Sequence, residues 1–151
     1  MKKNKRLTEW LKDWDPTPTH ALPVEYRAFV EEFNRGAYYE AHDVLEHLWL
    51  RTSDDNRSFY QALIQLAGAF VHFQKHALFP SHPTHSRRLA PGRRLLALAM
   101  ERLKGYPKIH LCLNLEETIA LCLLWSARAL DNCGQSPLKK HSPPRLTLSP
   151  N

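Results

Sequence analysis

The stretch FNRGAYYEAHDVLEHLWL, residues 33–50, and the stretch FYQALIQLAGAFVHF, residues 59–73, decide the fold. In both, apolar positions recur at three and four residues and period-two alternation is absent, the signature of helices packed on one face. Over residues 38–51, Ala41, Leu48, Leu45, Tyr38 and Trp49 share one arc, with Glu40, Asp43, His47 and Arg51 opposite. Over about 56–76, Phe59, Leu63, Ile64, Leu66, Phe70, Val71 and Phe73 cover most directions, which predicts the central helix. The break between them, Thr52 to Asp55, is short enough to make the two helices antiparallel neighbours.

Working outward, a short amphipathic piece is expected over Leu7 to Trp14, closed by Asp15-Pro16-Thr17-Pro18. A helix over 23–34 begins with Pro23 and is stopped by Arg35-Gly36. Pro80 and Pro83 mark a loop over 77–86, a helix over about 89–104 ends before Gly105, and Asn114-Leu115-Glu116-Glu117 resembles a capping box opening a last helix to about Asp131. The composition of 134–151 turns to Ser, Pro and Lys and reads as a disordered tail. The expectation is an all-α, compact single-domain bundle of about five to six helices: a basic segment with a short helix at 1–22, the bundle at 23–133, and the tail at 134–151.

Several function classes drop out at this stage. The longest apolar run, Ile119 to Trp125, is far short of the roughly 20 residues a membrane span needs. The basic start has no apolar h-region, so a cytoplasmic address is expected. Cys112, Cys122 and Cys133 are odd in number and unpaired by any C-x2-C spacing, and they are assigned no chemistry. The formal net charge of +6 comes from 21 basic and 15 acidic residues, but seven of the bases lie in 1–6 and 137–151, which hold no acids. Within the body, residues 7–85 are acidic and 86–136 basic. The basic runs Lys2 to Arg6, Arg87 to Arg94 and Lys139 to Arg145 therefore predict salt-dependent contact with phosphates, not specific nucleic-acid binding.

Two polar lines interrupt the apolar faces. His42 and Glu46 fall between Trp49 and Tyr39, inside the apolar arc, one turn apart. On the central helix Gln61, Gln65, Gly68 and His72 recur along one line. Buried amides, imidazoles and carboxylates cost a few kcal/mol each unless paired, so the two lines are expected to face each other and form a hydrogen-bonded His42/Glu46/Gln61/Gln65 network. A register centred near Asp54 places Glu46 opposite about Ala62 and His42 opposite about Leu66, leaving His72 roughly 9 Å further along.

These residues resemble the family called domain of unknown function 309, whose hallmark is H-x3-E-x2-W followed by a helix carrying L-I-Q-L-A. His42, Glu46 and Trp49 match the first pattern, and Leu63, Ile64, Gln65, Leu66 and Ala67 the second. The resemblance spans about residues 24–105, implies a compact helical fold, and supplies no activity, substrate or cofactor. The segment Ala77 to Ala90, with His82 and His85, is longer than the turn usual in that family.

The functional expectation is a non-enzymatic binding or interaction module, with Trp49, Gln61, Gln65 and His72 as binding residues and an unidentified small ligand or protein as partner. The alternative is a small acid-base or metal-assisted hydrolase in which His42 acts as general base and Glu46 orients it. No cofactor is expected, and a divalent metal is the alternative that His42, Glu46, His72 and His76 leave open. His-x3-Glu supplies two ligands, whereas Gln61 and Gln65 are poor ones. His72, His76, His82 and His85, four imidazoles in 14 residues, read as exposed loop histidines, with zinc as the alternative. No nucleophile motif, phosphate loop or dinucleotide fingerprint is present.

Overall fold

The computed structural model describes residues 21–79, 81–82, 87–131 and 134–149. The short helix expected over Leu7 to Trp14, the basic run at 2–6, His85 and Cys133 lie outside the described residues. Five helices carry the described chain: α1 (Val24–Asn34), α2 (Tyr38–Leu50), α3 (Asn56–Leu78), α4 (Leu89–Leu103) and α5 (Leu115–Asp131). Each packs chiefly on its neighbours in sequence, with α3 between α2 and α4. At 23 residues α3 is about 34 Å long, and its buried side chains make it the axis of the bundle.

The ends of the helices follow from local chemistry. Gly36 adopts φ +80°, and the amides of Gly36 and Ala37 close back on the carbonyls of Phe33 and Glu32, the paired bonds that end a helix with glycine in the left-handed region. Arg57 donates from Nη1 to the carbonyls of Trp49 and Thr52, both at 3.0 Å, and so caps the C-terminus of α2 from the first turn of α3. Asn114 Oδ1 accepts from the Glu117 amide at 3.0 Å, as the capping sequence predicts. The core is aromatic: Phe70 lies 5.5 Å from Phe33, 5.3 Å from Tyr38, 5.5 Å from Phe73 and 5.1 Å from Trp125, centroid to centroid. Burial pushes the Tyr38 phenol up to about 12.

Two features depart from the sequence reading. Between α4 and α5 the chain makes a two-stranded antiparallel hairpin, β1 (Ile109–His110) and β2 (Leu113–Asn114), with Ile109 opposite Asn114 and His110 opposite Leu113. Its two turn residues, Leu111 and Cys112, have φ of 47° and 66°, a conformation that ordinarily selects glycine or asparagine. Their carbonyls are held from outside, Leu111 O by the Tyr26 hydroxyl at 3.0 Å and Cys112 O by the Ser149 amide at 2.8 Å. Strands of two residues are too short to show a period, so the hairpin leaves no pattern to read.

The second departure is the C-terminal segment. The described part of 134–149 is docked, not disordered. Pro137–Lys139 form a 3-10 turn, the Ser136 hydroxyl donates to the Phe73 carbonyl at 2.7 Å, and Leu148 bridges to Leu113. Leu146 is 3% exposed, and its backbone is gripped at both ends by one side chain: Asn34 Nδ2 donates to its carbonyl at 2.8 Å while its amide donates to Asn34 Oδ1 at 2.7 Å. A Ser/Pro/Lys composition describes the exposed positions of this segment and hides the buried Pro137, Pro144 and Leu146.

Candidate functional site

The helix faces place the sequence-predicted residues in one groove. On α3, Gln61, Gln65, Gly68 and His72 are half-buried on a helix that is otherwise buried across most of its middle, so this line is where α3 meets solvent. On α2, His42, Glu46 and Trp49 are likewise half-buried, along the edge of the face that buries Ala41, Leu45 and Leu48. The opposite wall is α4 with the residue that caps it, through Arg88, Leu95 and Arg102 at spacings of seven. Arg88 Nη1 lies 3.1 Å from His72 Nδ1, and Arg102 Nη1 donates to Ser58 Oγ at 3.1 Å. Gly68 marks the convergence, since a Cβ there would lie 3.2 Å from Leu95 Cδ1 and 3.8 Å from His42 Cδ2. His42 therefore faces the polar line of α3, as the amphipathic pattern requires.

The hydrogen-bonded network expected from those faces does not form. Among the described residues, no hydrogen bond joins His42 or Glu46 to each other, to Gln61 or to Gln65. Gln65 Oε1 and Trp49 Nε1 are shut off from solvent with no partner. The face of Trp49 is used, however, because the Arg57 guanidinium carbon sits 4.1 Å from its ring centroid. With Glu46 half-buried and unpaired, both Glu46→Ala and Glu46→Gln should stay within about 1 kcal/mol of wild type in urea unfolding. A loss above about 2 kcal/mol for the alanine variant would show that the carboxylate bears structural load after all.

The histidines of the α3–α4 corner have separate employments. His76 is buried and bonded on both nitrogens: the Arg88 amide donates to Nδ1 at 3.3 Å, which leaves Nε2 to donate to the Gly134 carbonyl at 2.7 Å. It clamps α3, the start of α4 and the segment after α5 together, and both ring nitrogens are taken up in doing so. His72 Nδ1 accepts from the Arg88 guanidinium, which can only donate. His82 is exposed beside the Phe79 ring. Among the described residues no three His, Cys, Asp or Glu side chains come together as a metal-holding group. Cys122 is fully buried, and burial pushes its thiol up to about 12, which suits packing and not nucleophilic chemistry.

Desolvation, and then the positive charges of Arg88, Lys75 and Arg94, lower the pKa of His72 from its ordinary 6.5. The unfolded chain consequently binds more protons than the folded one between the two values. The stability tied to neutral His72 is complete above about pH 6.5 and is lost as pH falls through the folded pKa. Denaturant melts at pH 7.5 and pH 5 should show acid destabilisation that His72→Gln reduces, since Gln keeps an acceptor for Arg88 and cannot titrate. An unchanged slope in that variant would remove His72 as a cause.

Below the groove the floor opens into a cleft of about 720 Å³, lined by residues that include Asp54, Arg57, Ser58, Gln61, Arg102 and His110. Gln61 belongs to both. Tyr106 closes one side by donating its hydroxyl to the Asp55 carbonyl at 2.5 Å, and His110 Nε2 lies 2.6 Å from Asn56 Oδ1. The arginines of this cleft, Arg57 and Arg102, did not emerge from the sequence, whereas Arg88 lies in the basic run Arg87 to Arg94. Arg57 and Arg102 line one cleft from α3 and α4, and nothing in their local spacing distinguishes them from solvated charge.

Residues 26–78 match the family described as Domain of unknown function (DUF309). The family read from the H-x3-E-x2-W pattern is therefore supported, over a span shorter than the 24–105 of the resemblance. That span holds nearly all of α1 with all of α2 and α3, and hence the floor and one wall of the groove; the α4 wall lies beyond it. Comparison with curated proteins and with solved structures gives no match. No helix among the described residues is long and apolar enough to cross a membrane.

Proposed function

We propose that this chain is a cytoplasmic, non-enzymatic binding module that takes a small polar ligand over the α3 line of Gln61, Gln65, Gly68 and His72, between His42, Glu46 and Trp49 on one side and α4 on the other. The observation that carries the reading is the unmet hydrogen-bonding capacity there. Gln65 Oε1 and Trp49 Nε1 are buried without partners, beside a half-buried imidazole, carboxylate and amide that make no hydrogen bond to one another. Each stranded group costs about 1–3 kcal/mol, a penalty that a ligand offering both a donor and an acceptor would relieve. The acid-base alternative has less support, because nothing orients the His42 ring toward Glu46. Surplus charge on the exposed Lys139, Lys140 and Arg145 is read as giving only sequence-blind contact with polyanions.

The test is a titration of the isotopically labelled chain with acetamide and with acetate, following the Trp49 indole N–H and the Gln65 side-chain amide by NMR. Saturable shifts at both in the wild type, lost at both in His42→Ala and at the Trp49 indole in Gln65→Leu, are the expected result. No saturable shift at either group in the wild type would overturn the proposal. Elemental analysis of untagged wild type beside His42→Ala adds a decisive arm, since near-stoichiometric metal lost in the variant would return the metal-assisted hydrolase to first place.

A further inference from the structure

We infer that the cleft beneath the groove is an oxyanion site, built to hold one carboxylate or phosphate group of a small molecule on Arg102 and Arg57. The inference goes beyond the reading of the polar line and stands without it, because it rests on different side chains and on charge.

Arg102 and Arg57 are half-buried residues, the Arg102 Nε is shut from solvent and the Arg57 guanidinium lies against the Trp49 ring, and an arginine cannot shed its proton to escape the cost of burial. A charge removed from water in this way is ordinarily matched by a carboxylate. Here it is not. Among the described residues no carboxylate oxygen lies within 4.0 Å of either guanidinium, and the ion pairs formed by Arg35, Arg51, Lys104 and Lys108 are all elsewhere. The two arginines are instead fixed by neutral oxygens. Arg102 is held by Ser58 Oγ, with its Nε shut from solvent and unpartnered, and Arg57 by the carbonyls of Trp49 and Thr52 and by the Trp49 ring. Held but not neutralised, they line the same cleft with the polar side chains of Ser58 and Gln61.

The cleft also contains two acids, and they define the ligand further. Asp54 and Asp55 are exposed, so water solvates them, and Asp54 Oδ1 is engaged by the Asn56 amide at 2.8 Å. Their negative charge at the rim disfavours a polyanion such as nucleic acid, whose neighbouring phosphates would meet them. A compact molecule with a single oxyanion avoids that repulsion. A volume of about 720 Å³ is in the range of sites that enclose small metabolites.

Carboxylate and phosphate each offer two oxygens spaced to accept the parallel N–H donors of a guanidinium, and the experiment separates them. The full-length chain is titrated with acetate and, separately, with inorganic phosphate at constant ionic strength set by sodium chloride, reading the Arg57 Nε–H and the Gly105 backbone amide, two groups of the cleft lining that every variant retains. Saturable binding in the millimolar range is expected for at least one, weakened at least about tenfold in Arg102→Gln and unaffected in Arg94→Gln, which lies on the exposed side of α4. Binding of acetate alone assigns a carboxylate ligand, and binding of phosphate alone a phosphorylated one. Should Arg102→Gln fail to fold by circular dichroism, Arg102→Lys takes its place; it keeps the charge but loses the fork, and a severalfold weakening is expected. No saturable shift with either anion, or equal affinity in the Arg102 and Arg94 variants, overturns the site.

Discussion

Truncating the chain after Gly134 is expected to destabilise the domain by at least about 4 kcal/mol, measured by urea unfolding at constant pH. The segment removed contains Leu146, buried to 3% exposure, and replacing a leucine so placed by alanine alone costs about 2–5 kcal/mol. It also withdraws the Ser136 hydroxyl from the Phe73 carbonyl and the Ser149 amide from the Cys112 carbonyl, the latter a bond that holds the Leu111-Cys112 turn in its left-handed conformation. Domains of this size are stable by only about 5–15 kcal/mol, so the truncated protein should sit close to its unfolding threshold. Asn34 gives a finer test. Asn34→Ala strands an amide and a carbonyl of Leu146 together and should cost about 2 kcal/mol, and Asn34→Asp should also cost, because its second oxygen would face the Leu146 carbonyl. A disordered tail would make all of these changes neutral to within about 0.5 kcal/mol.

The same residues show where the sequence was legible. Helix positions follow from apolar spacing, from Gly36 and from the Asn114 cap, and the structure places α1 to α5 within two residues of those expectations at nearly every boundary. Spacing is a property of one segment at a time, and it is a strong signal wherever a helix buries one face. The docking of 134–149 depends instead on an Asn side chain over a hundred residues away, and no local pattern records that partnership. The groove was half legible for a related reason. Periodicity put His42, Glu46, Gln61 and Gln65 on facing lines, but whether facing groups bond depends on distances of a few tenths of an ångström, which spacing does not contain. Arg102 and Arg57 were invisible as a pair, since they lie on different helices and read separately as ordinary surface charge.

The contact between α3 and α4 supplies the other large effect: Gly92→Ala is expected to cost about 3 kcal/mol. A Cβ on Gly92 would stand 2.5 Å from Phe73 Cε1 and 3.0 Å from Cδ1, nearer than real carbon atoms approach. Phe73 cannot swing aside, being fully buried and packed edge-on against Phe70 at 5.5 Å, so one helix must shift. Glycine inside a helix ordinarily costs about 1 kcal/mol relative to alanine, and here the close approach it permits outweighs that cost. Gly68 on the facing helix is the control. A methyl group there meets Leu95 Cδ1 at 3.2 Å, the end of a half-buried side chain free to turn, and otherwise only the edge of the His42 ring. The propensity gain and the small crowding nearly cancel, so Gly68→Ala should change stability by less than about 1 kcal/mol in either direction. Urea melts of the two variants should thus separate by at least about 2 kcal/mol. Equal effects would mean that α3 and α4 are not held apart by one aromatic ring at Gly92, and that the α4 wall of the groove is free to move.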